Sequence, residues 1–277
     1  MAAHISFSLS PHHSDDAVDL ASMWPVLMLL VAAAVYGYLA LRQRRGPRGW
    51  SRWRTVSFMS GIGLLVAALT PPLSPWPPGS FAEHMYQHLL IGMYAPLALV
   101  LGAPVTLLLR SVPPASGRMI GRILGSSVLG VLAHPVTALA LNLGGLALLY
   151  FTPLYAASAE DPSVHHVIHL HFFLAGYLFA YAIAGPDPAP HRPSVPARLV
   201  VLGVAIAGHA VLAQLLYAGA LTQVPVPAAD RQAGADLMYY GGDIAELLLA
   251  FAMVSTWRPR QRPGPATRSS PRAVPSP

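Results

Sequence analysis

Seven stretches of this chain are too long and too apolar to be the surface helices of a water-soluble fold. They run over residues about 24–41, 55–70, 83–109, 128–150, 164–184, 199–218 and 236–257. A hydrocarbon core needs ~20 predominantly apolar residues per helix to be crossed, with a working range of ~17–25. Inside that core each segment must satisfy its own backbone N–H and C=O groups, which a helix does and an isolated strand does not. The expected fold is therefore all-α: a polytopic membrane helix bundle with seven transmembrane helices. A chain that is 54% apolar and only 10% charged agrees.

The arginines orient the bundle. Arg42, Arg44, Arg45, Arg48, Arg52 and Arg54 fall between the first two stretches. Arg110, Arg118 and Arg122 follow the third. Arg192 and Arg198 follow the fifth, and Arg258, Arg260, Arg262, Arg268 and Arg272 follow the seventh. With seven spans, every arginine except Arg231 lies on one side. Positive residues accumulate in cytoplasmic loops, so the N-terminus is expected outside and the C-terminus in the cytoplasm. This use of the arginines accounts for the basic balance without nucleic acid; the expected large partner is the lipid bilayer.

Three parts follow from the pattern. Residues 1–22 form an extracytoplasmic N-terminal tail with no positive n-region, so no secretory signal is read there. Residues 23–257 form the membrane domain. Residues 258–277 form a Pro-, Arg- and Ser-rich cytoplasmic tail expected to be disordered. The outer loop 71–82 holds Pro71, Pro72, Pro75, Pro77 and Pro78 and should be extended.

Two pairs of histidines sit where apolar helices begin: His84 with His88, and His165 with His169, with His166 between the latter two. A spacing of four places both rings of a pair on one helix face. Imidazole is the commonest metal ligand and also binds haem. The chain has no cysteine, so a metal must be held by His, Met, Asp, Glu or backbone.

Depth connects further residues. The sixth span runs outward, and His209 stands nine residues before its end, ~13 Å down at 1.5 Å per residue. The seventh runs inward from Asp236, and Asp243 lies ~10 Å deeper. His88, His169, His209 and Asp243 thus share a depth in the outer half, on four helices. Asp236, Tyr239, Tyr240, Asp243 and Glu246 fall on one stripe of the last helix. A charged group in the membrane interior costs ~2.5–3.5 kcal/mol on insertion scales, so Asp243 and Glu246 are expected to face the bundle and pair. His209 is the expected partner of Asp243, an arrangement that orients an imidazole for metal binding.

The plainer readings are ordinary ones. His209 alone reads as an interhelical hydrogen-bonder, and His84 with His88 as an interfacial pair facing water. His171 lies on another face of its helix and reads as packing. His134, followed by Pro135, reads as a helix start, and His191 fits no cluster. Met85, Met93 and Met238 lie near the outer histidines, where thioether and imidazole together suit Cu(I), although methionine is common in membrane helices. Pro96 removes one helical hydrogen bond and should kink the third span just below His88.

These residues resemble the CtaG family of caa3-type cytochrome c oxidase assembly factors over roughly residues 20–257. The matching stretches are His84-Met85-Tyr86-Gln87-His88-Leu89-Leu90, Ala95-Pro96-Leu97 and Leu101-Gly102-Ala103-Pro104. His134-Pro135, Thr152-Pro153-Leu154-Tyr155 and the histidine-rich start of the fifth span follow. Asp230-Arg231-Gln232-Ala233-Gly234 with Met238 is similar to an Asp-Gln-Gln-x-Gly-Gly-x-x-Met signature, with Arg231 in place of its first Gln. Many members have Trp-His-x-Pro where this chain has Tyr150-Phe151-Thr152-Pro153, so one outer histidine is missing here.

The resemblance implies a non-enzymatic assembly factor of the bacterial plasma membrane. It would serve a copper-containing oxidase, with oxidase subunits or copper chaperones as partners. The expected metal residues are His84, His88, His165 and His169 as primary copper ligands, His166 and His209 in support, and Asp243 as second shell or proton acceptor. A haem- or quinone-binding redox protein, for instance with a b-type haem between His88 and His209, is the competing reading. A proton or solute carrier using Asp243, Glu246 and His209 is the third. No nucleophile–base pair, P-loop or dinucleotide fingerprint speaks for an enzyme.

Overall fold

The computed structural model describes residues 24–70, 73–189 and 192–256. The two tails, His191, Pro71 and Pro72 lie outside them. Among the described residues the regular structure is entirely helical. In chain order the helices are α1 (Trp24–Arg44), α2 (Arg52–Leu69), α3 (Phe81–Leu89), a π-helical turn (Leu90–Tyr94), α4 (Ala95–Leu101) and α5 (Pro104–Ser111). Then come α6 (Pro114–Leu124), α7 (Ser127–Leu132), α8 (Pro135–Phe151), α9 (Leu154–Glu160), α10 (Pro162–Ala184), α11 (Val195–Ala218) and α12 (Ala228–Ser255).

Helix starts follow local chemistry. A capping residue followed by proline opens α8 and α10. His134 Nδ1 accepts the Val136 N–H at 3.3 Å, as the helix-start reading of His134 requires. Asp161 Oδ1 accepts the Ser163 N–H at 2.7 Å. A side-chain acceptor satisfies a free first-turn donor, and proline at the first position gives up an N–H that the helix does not need. Span four thus begins at Pro135 rather than near 128, because α6 and α7 are separate short helices before it.

The third apolar stretch is one span in sequence and three helices in space. Pro96 has no N–H to offer the Gly92 carbonyl four residues back. The chain relieves this with a π-turn in which the Ala95 N–H bonds the Leu90 carbonyl, five residues back. The expected kink is therefore a π-turn that starts two residues after His88. A second break falls at Ala103, left-handed at φ 52°. There Asp187, from beyond α10, caps α5 by accepting the Val105 and Thr106 N–H groups at 3.1 and 2.7 Å.

Among the described residues, five helical segments are long and apolar enough to cross a membrane: α1, Phe81–Ser111, α10, α11 and α12. A sixth arises if α8 and α9, bent by 76°, count as one. The helix α2 is not among them; it has 18 residues and opens on Arg52 and Arg54. The segments fit a multi-pass membrane protein. Large apolar side chains such as Leu27 and Leu30 on α1 and Leu247, Phe251 and Val254 on α12 are exposed, as lipid-facing residues are.

The span formed by α3, the π-turn and α4 runs through the middle, packed by α2, α10 and α12. Its N-terminal half meets α8, α10, α11 and α12 in a core of Phe81, Met85, Leu149, Tyr150, Phe172 and Met238. Small residues permit the closest approach. The Gly92 carbonyl oxygen occupies the space that a Cβ at residue 176 would take, so α10 and the π-turn touch through backbone.

Candidate functional site

The end of the bundle where α3 begins is pinned by adjacent residues of α12. Asp230 accepts the Phe81 N–H at 2.9 Å and the Ala82 N–H at 3.4 Å, capping α3 from another helix. Arg231 Nε donates to the Leu216 carbonyl at 3.0 Å, where a cation complements the C-terminal end of α11. The arginine that departs from the charge pattern is thus engaged in holding a helix end. On α3 itself, Ser80 Oγ accepts the Glu83 N–H at 3.1 Å, and Glu83 Oε2 accepts the Gly79 N–H at 2.7 Å.

Between α3, α9 and α10 lies a cleft of about 560 Å³, lined among others by Glu83, His84, Gln87, Tyr155, His165 and His166. His166 is exposed, its Nδ1 2.6 Å from the Pro162 carbonyl. The rings of His165 and His169 stand 4.1 Å apart, centre to centre, as their spacing on one helix face requires. His84 Nε2 lies 3.1 Å from the Tyr150 hydroxyl, which also approaches Met85 Sδ at 3.5 Å. Tyr155 meets the His84 ring edge-on at 5.1 Å.

Beneath the cleft the rings are packed and unpartnered. His88 is 5% exposed and His209 2%. Neither nitrogen of either ring has a hydrogen-bond partner, nor has Nε2 of His169. The His88 ring lies edge-on to Phe172 at 4.6 Å and close over Gly92, whose missing side chain makes room. His209 presses against Gly242, in the space that a Cβ there would fill. His88 is the electrostatic neighbour of both His169 and His209, and His169 that of His84, His165 and His166. The six candidate imidazoles therefore form one descending file: His165 and His166 at the mouth, then His84 and His169, then His88, then His209.

The expected pairing of Asp243 with His209 is not made. His209 faces Gly242, and the next residue is turned ~100° around a helix of 3.6 residues per turn. Asp243 is half-buried, and its charged neighbour is Glu246 on the same helix. The stripe on α12 also divides, with Asp236 and Tyr240 exposed and Glu246 buried. His171 behaves as packing, its Nε2 3.2 Å from the Leu141 carbonyl. Among the described residues no three His, Asp or Glu side chains surround a single metal-sized point. The file is a succession of neighbours rather than a closed cage.

Buried polar atoms are nearly always hydrogen-bonded, so orphaned imidazole nitrogens ask for a reason. A ring held with its acceptor nitrogen free, beside another in the same state, can receive a cation or a donor proton. Tyr150, the Glu83 carboxylate and the capping role of Asp230 were not foreseen from sequence. The signals were there: Tyr150 stands next to the position of the missing outer histidine, and Ser80-x-x-Glu83 is a capping-box pattern.

The family profile of cytochrome c oxidase caa3 assembly factors matches residues 34–260. Uncharacterized proteins of Mycobacterium bovis and Mycobacterium tuberculosis are each 30% identical over 87% of this chain. One of Mycobacterium leprae is also 30% identical over 87% of the chain. The chain spans 40% of the length of each of these relatives. No solved structure matches.

Proposed function

The chain belongs to the cytochrome c oxidase caa3 assembly factor family, and from that premise we propose that it receives copper at its outer face and hands it on toward the oxidase. Its role is in assembly, not in catalysis of a covalent step. The observation that carries this reading is that His88 and His209, electrostatic neighbours, are buried with all four ring nitrogens free. Copper is the cargo. Imidazole and thioether both suit it, and Cu(I) is stable between as few as two ligands, so a file of neighbours suffices where a cage is absent. His84, His88, His165 and His169 are the primary ligands, with His166 and His209 in support. Asp243 adds negative charge one residue from the contact between Gly242 and His209.

In this reading α2 and α8 complete seven spans, the N-terminus lies outside and the arginine-rich loops face the cytoplasm of a bacterial cell. The cleft then opens on the outer side, where oxidase subunits or copper chaperones exchange metal with it. Titration of the purified protein against a chromophoric Cu(I) chelator tests this: binding is expected, weakened at least tenfold in His88→Ala. Protein that binds neither Cu(I) nor Cu(II), with metal content unchanged in His88→Ala, sinks the reading. A Soret band in the absorption spectrum would replace it with the haem alternative.

A further inference from the structure

Residues 20–82 and 84–159 contain no Asp or Glu, so the arginines of α1, α2 and α5 have no acidic partner on those helices. Three of them meet where α1 turns into α2. Arg44 ends α1, Arg54 lies in the first turn of α2, and Arg110 lies in the last turn of α5. The guanidinium carbons of Arg54 and Arg110 lie 5.1 and 5.6 Å from the centre of the same Trp50 ring. Arg44 Nη2 donates to Thr55 Oγ1 at 3.4 Å, and its buried Nε has no partner. Gln43 fixes the arrangement. Its Nε2 donates to the Arg110 carbonyl at 2.9 Å and so ties the end of α1 to the end of α5.

The cluster has cations and no anion. Cation–π contact with an indole stabilises a guanidinium but brings no negative charge. Asp187, a charged neighbour of Tyr36 together with Arg44 and Arg54, is already spent on α5. Its oxygens accept the Val105 and Thr106 N–H groups and the Thr106 hydroxyl. The start of α2 sharpens the imbalance. Its N-cap Ser51 makes no side-chain hydrogen bond, and its first turn holds Arg52 and Arg54 with no acid. The dipole at a helix N-terminus opposes cations and favours an anion. The surface beside the guanidiniums is apolar: Leu41 of α1, Trp53 of α2 and Leu108 of α5 are exposed.

Guanidinium forks match phosphate oxygens, and basic pockets between membrane helices take anionic lipid head groups. We propose that Arg44, Arg54 and Arg110, ordered around Trp50, bind the phosphodiester of an anionic phospholipid whose acyl chains lie along Leu41, Trp53 and Leu108. The lipid then clamps α1, α2 and α5 together and neutralises the start of α2. Soluble phosphate would meet the guanidiniums alone; the apolar flank selects the lipid. The site shares no residue with the imidazole file and stands independently of the copper reading.

The test places purified full-length protein in nanodiscs of equal parts phosphatidylglycerol and phosphatidylcholine and counts the lipids it keeps by native mass spectrometry. The wild type is expected to keep phosphatidylglycerol selectively. Arg54→Gln and Arg110→Gln should each weaken that retention about fivefold, the worth of one arginine at a lipid surface. Arg118→Gln, on the separate helix α6, removes the same charge and should change nothing. An equal loss in Arg118→Gln reduces the cluster to diffuse charge and overturns the site, as does unchanged retention in the other two variants. Equal retention of the two lipids by the wild type overturns it without any variant. Thermal unfolding in detergent separates the sources of phosphate: phosphatidylglycerol should raise the midpoint and inorganic phosphate should not. Equal stabilisation by inorganic phosphate overturns the lipid assignment.

Discussion

Asp230 accepts the backbone N–H of Phe81 at 2.9 Å, so the first turn of α12 caps the first turn of α3. The helix that carries His84 and His88 is thus fixed in height by the helix that carries Gly242 and Glu246. A side-chain cap is worth ~0.5–2 kcal/mol. Asp230→Ala is expected to destabilise the protein by about 1 kcal/mol in thermal unfolding in detergent. Asp230→Asn, which keeps an acceptor oxygen, should lose less; equal losses would show that the cap does not fix α3.

Backbone contact between the π-turn and α10 makes residue 176 intolerant of any side chain. Gly176→Ala drives a Cβ into the Gly92 carbonyl, and overpacking costs ~1–3 kcal/mol even where neighbours can yield. Backbone cannot yield as a side chain does, so the loss is expected at or above that range. Gly144→Ala meets nothing within 4 Å and should fold as the wild type does. A comparison of folded yield by size-exclusion chromatography checks both.

Tyr150 is a built-in competitor for His84 Nε2. Tyr150→Phe keeps the packing and removes the hydroxyl, with an expected loss of ~0.5–1.5 kcal/mol for one hydrogen bond. It also frees the ring nitrogen. Copper affinity in the chelator titration should therefore equal or exceed that of the wild type. A lower affinity would mean that the hydroxyl orients His84 rather than competes for it.

The absence of cysteine makes the sidedness directly measurable. Single cysteines placed at Ala159 and Gln223, both exposed, are expected to react with an impermeant maleimide added outside intact cells. One at Ser127, also exposed, should react only after permeabilisation. Labelling of Ser127→Cys from outside would overturn the seven-span orientation.

Much of the site was legible because helical spacing is a local property. The spacing of His165 and His169 places two rings on one face, and their centroids stand 4.1 Å apart. His134 and His171 took the capping and packing roles their positions suggest. Asp243 fails the same reasoning for a physical reason. Spacing gives the depth of a residue and its face relative to its own helix, but not which face meets the neighbour. Depth brought Asp243 and His209 level; the rotation of α12 turned Gly242 to the His209 ring instead. The role of Tyr150 was hidden because a hydroxyl can reach His84 only after α8 and α3 have packed.

The sequence by itself determined that the chain builds helices with several segments of membrane-spanning length, that capping residues followed by proline open α8 and α10, and that His165 and His169 share one helix face. Those are consequences of run length, capping residues and helical periodicity. The tertiary structure alone decided that the histidines form one file and that Pro96 yields a π-turn beside His88. These depend on how glycines 92, 176 and 242 let helices approach, and close approach is a property of two surfaces that neither helix carries alone.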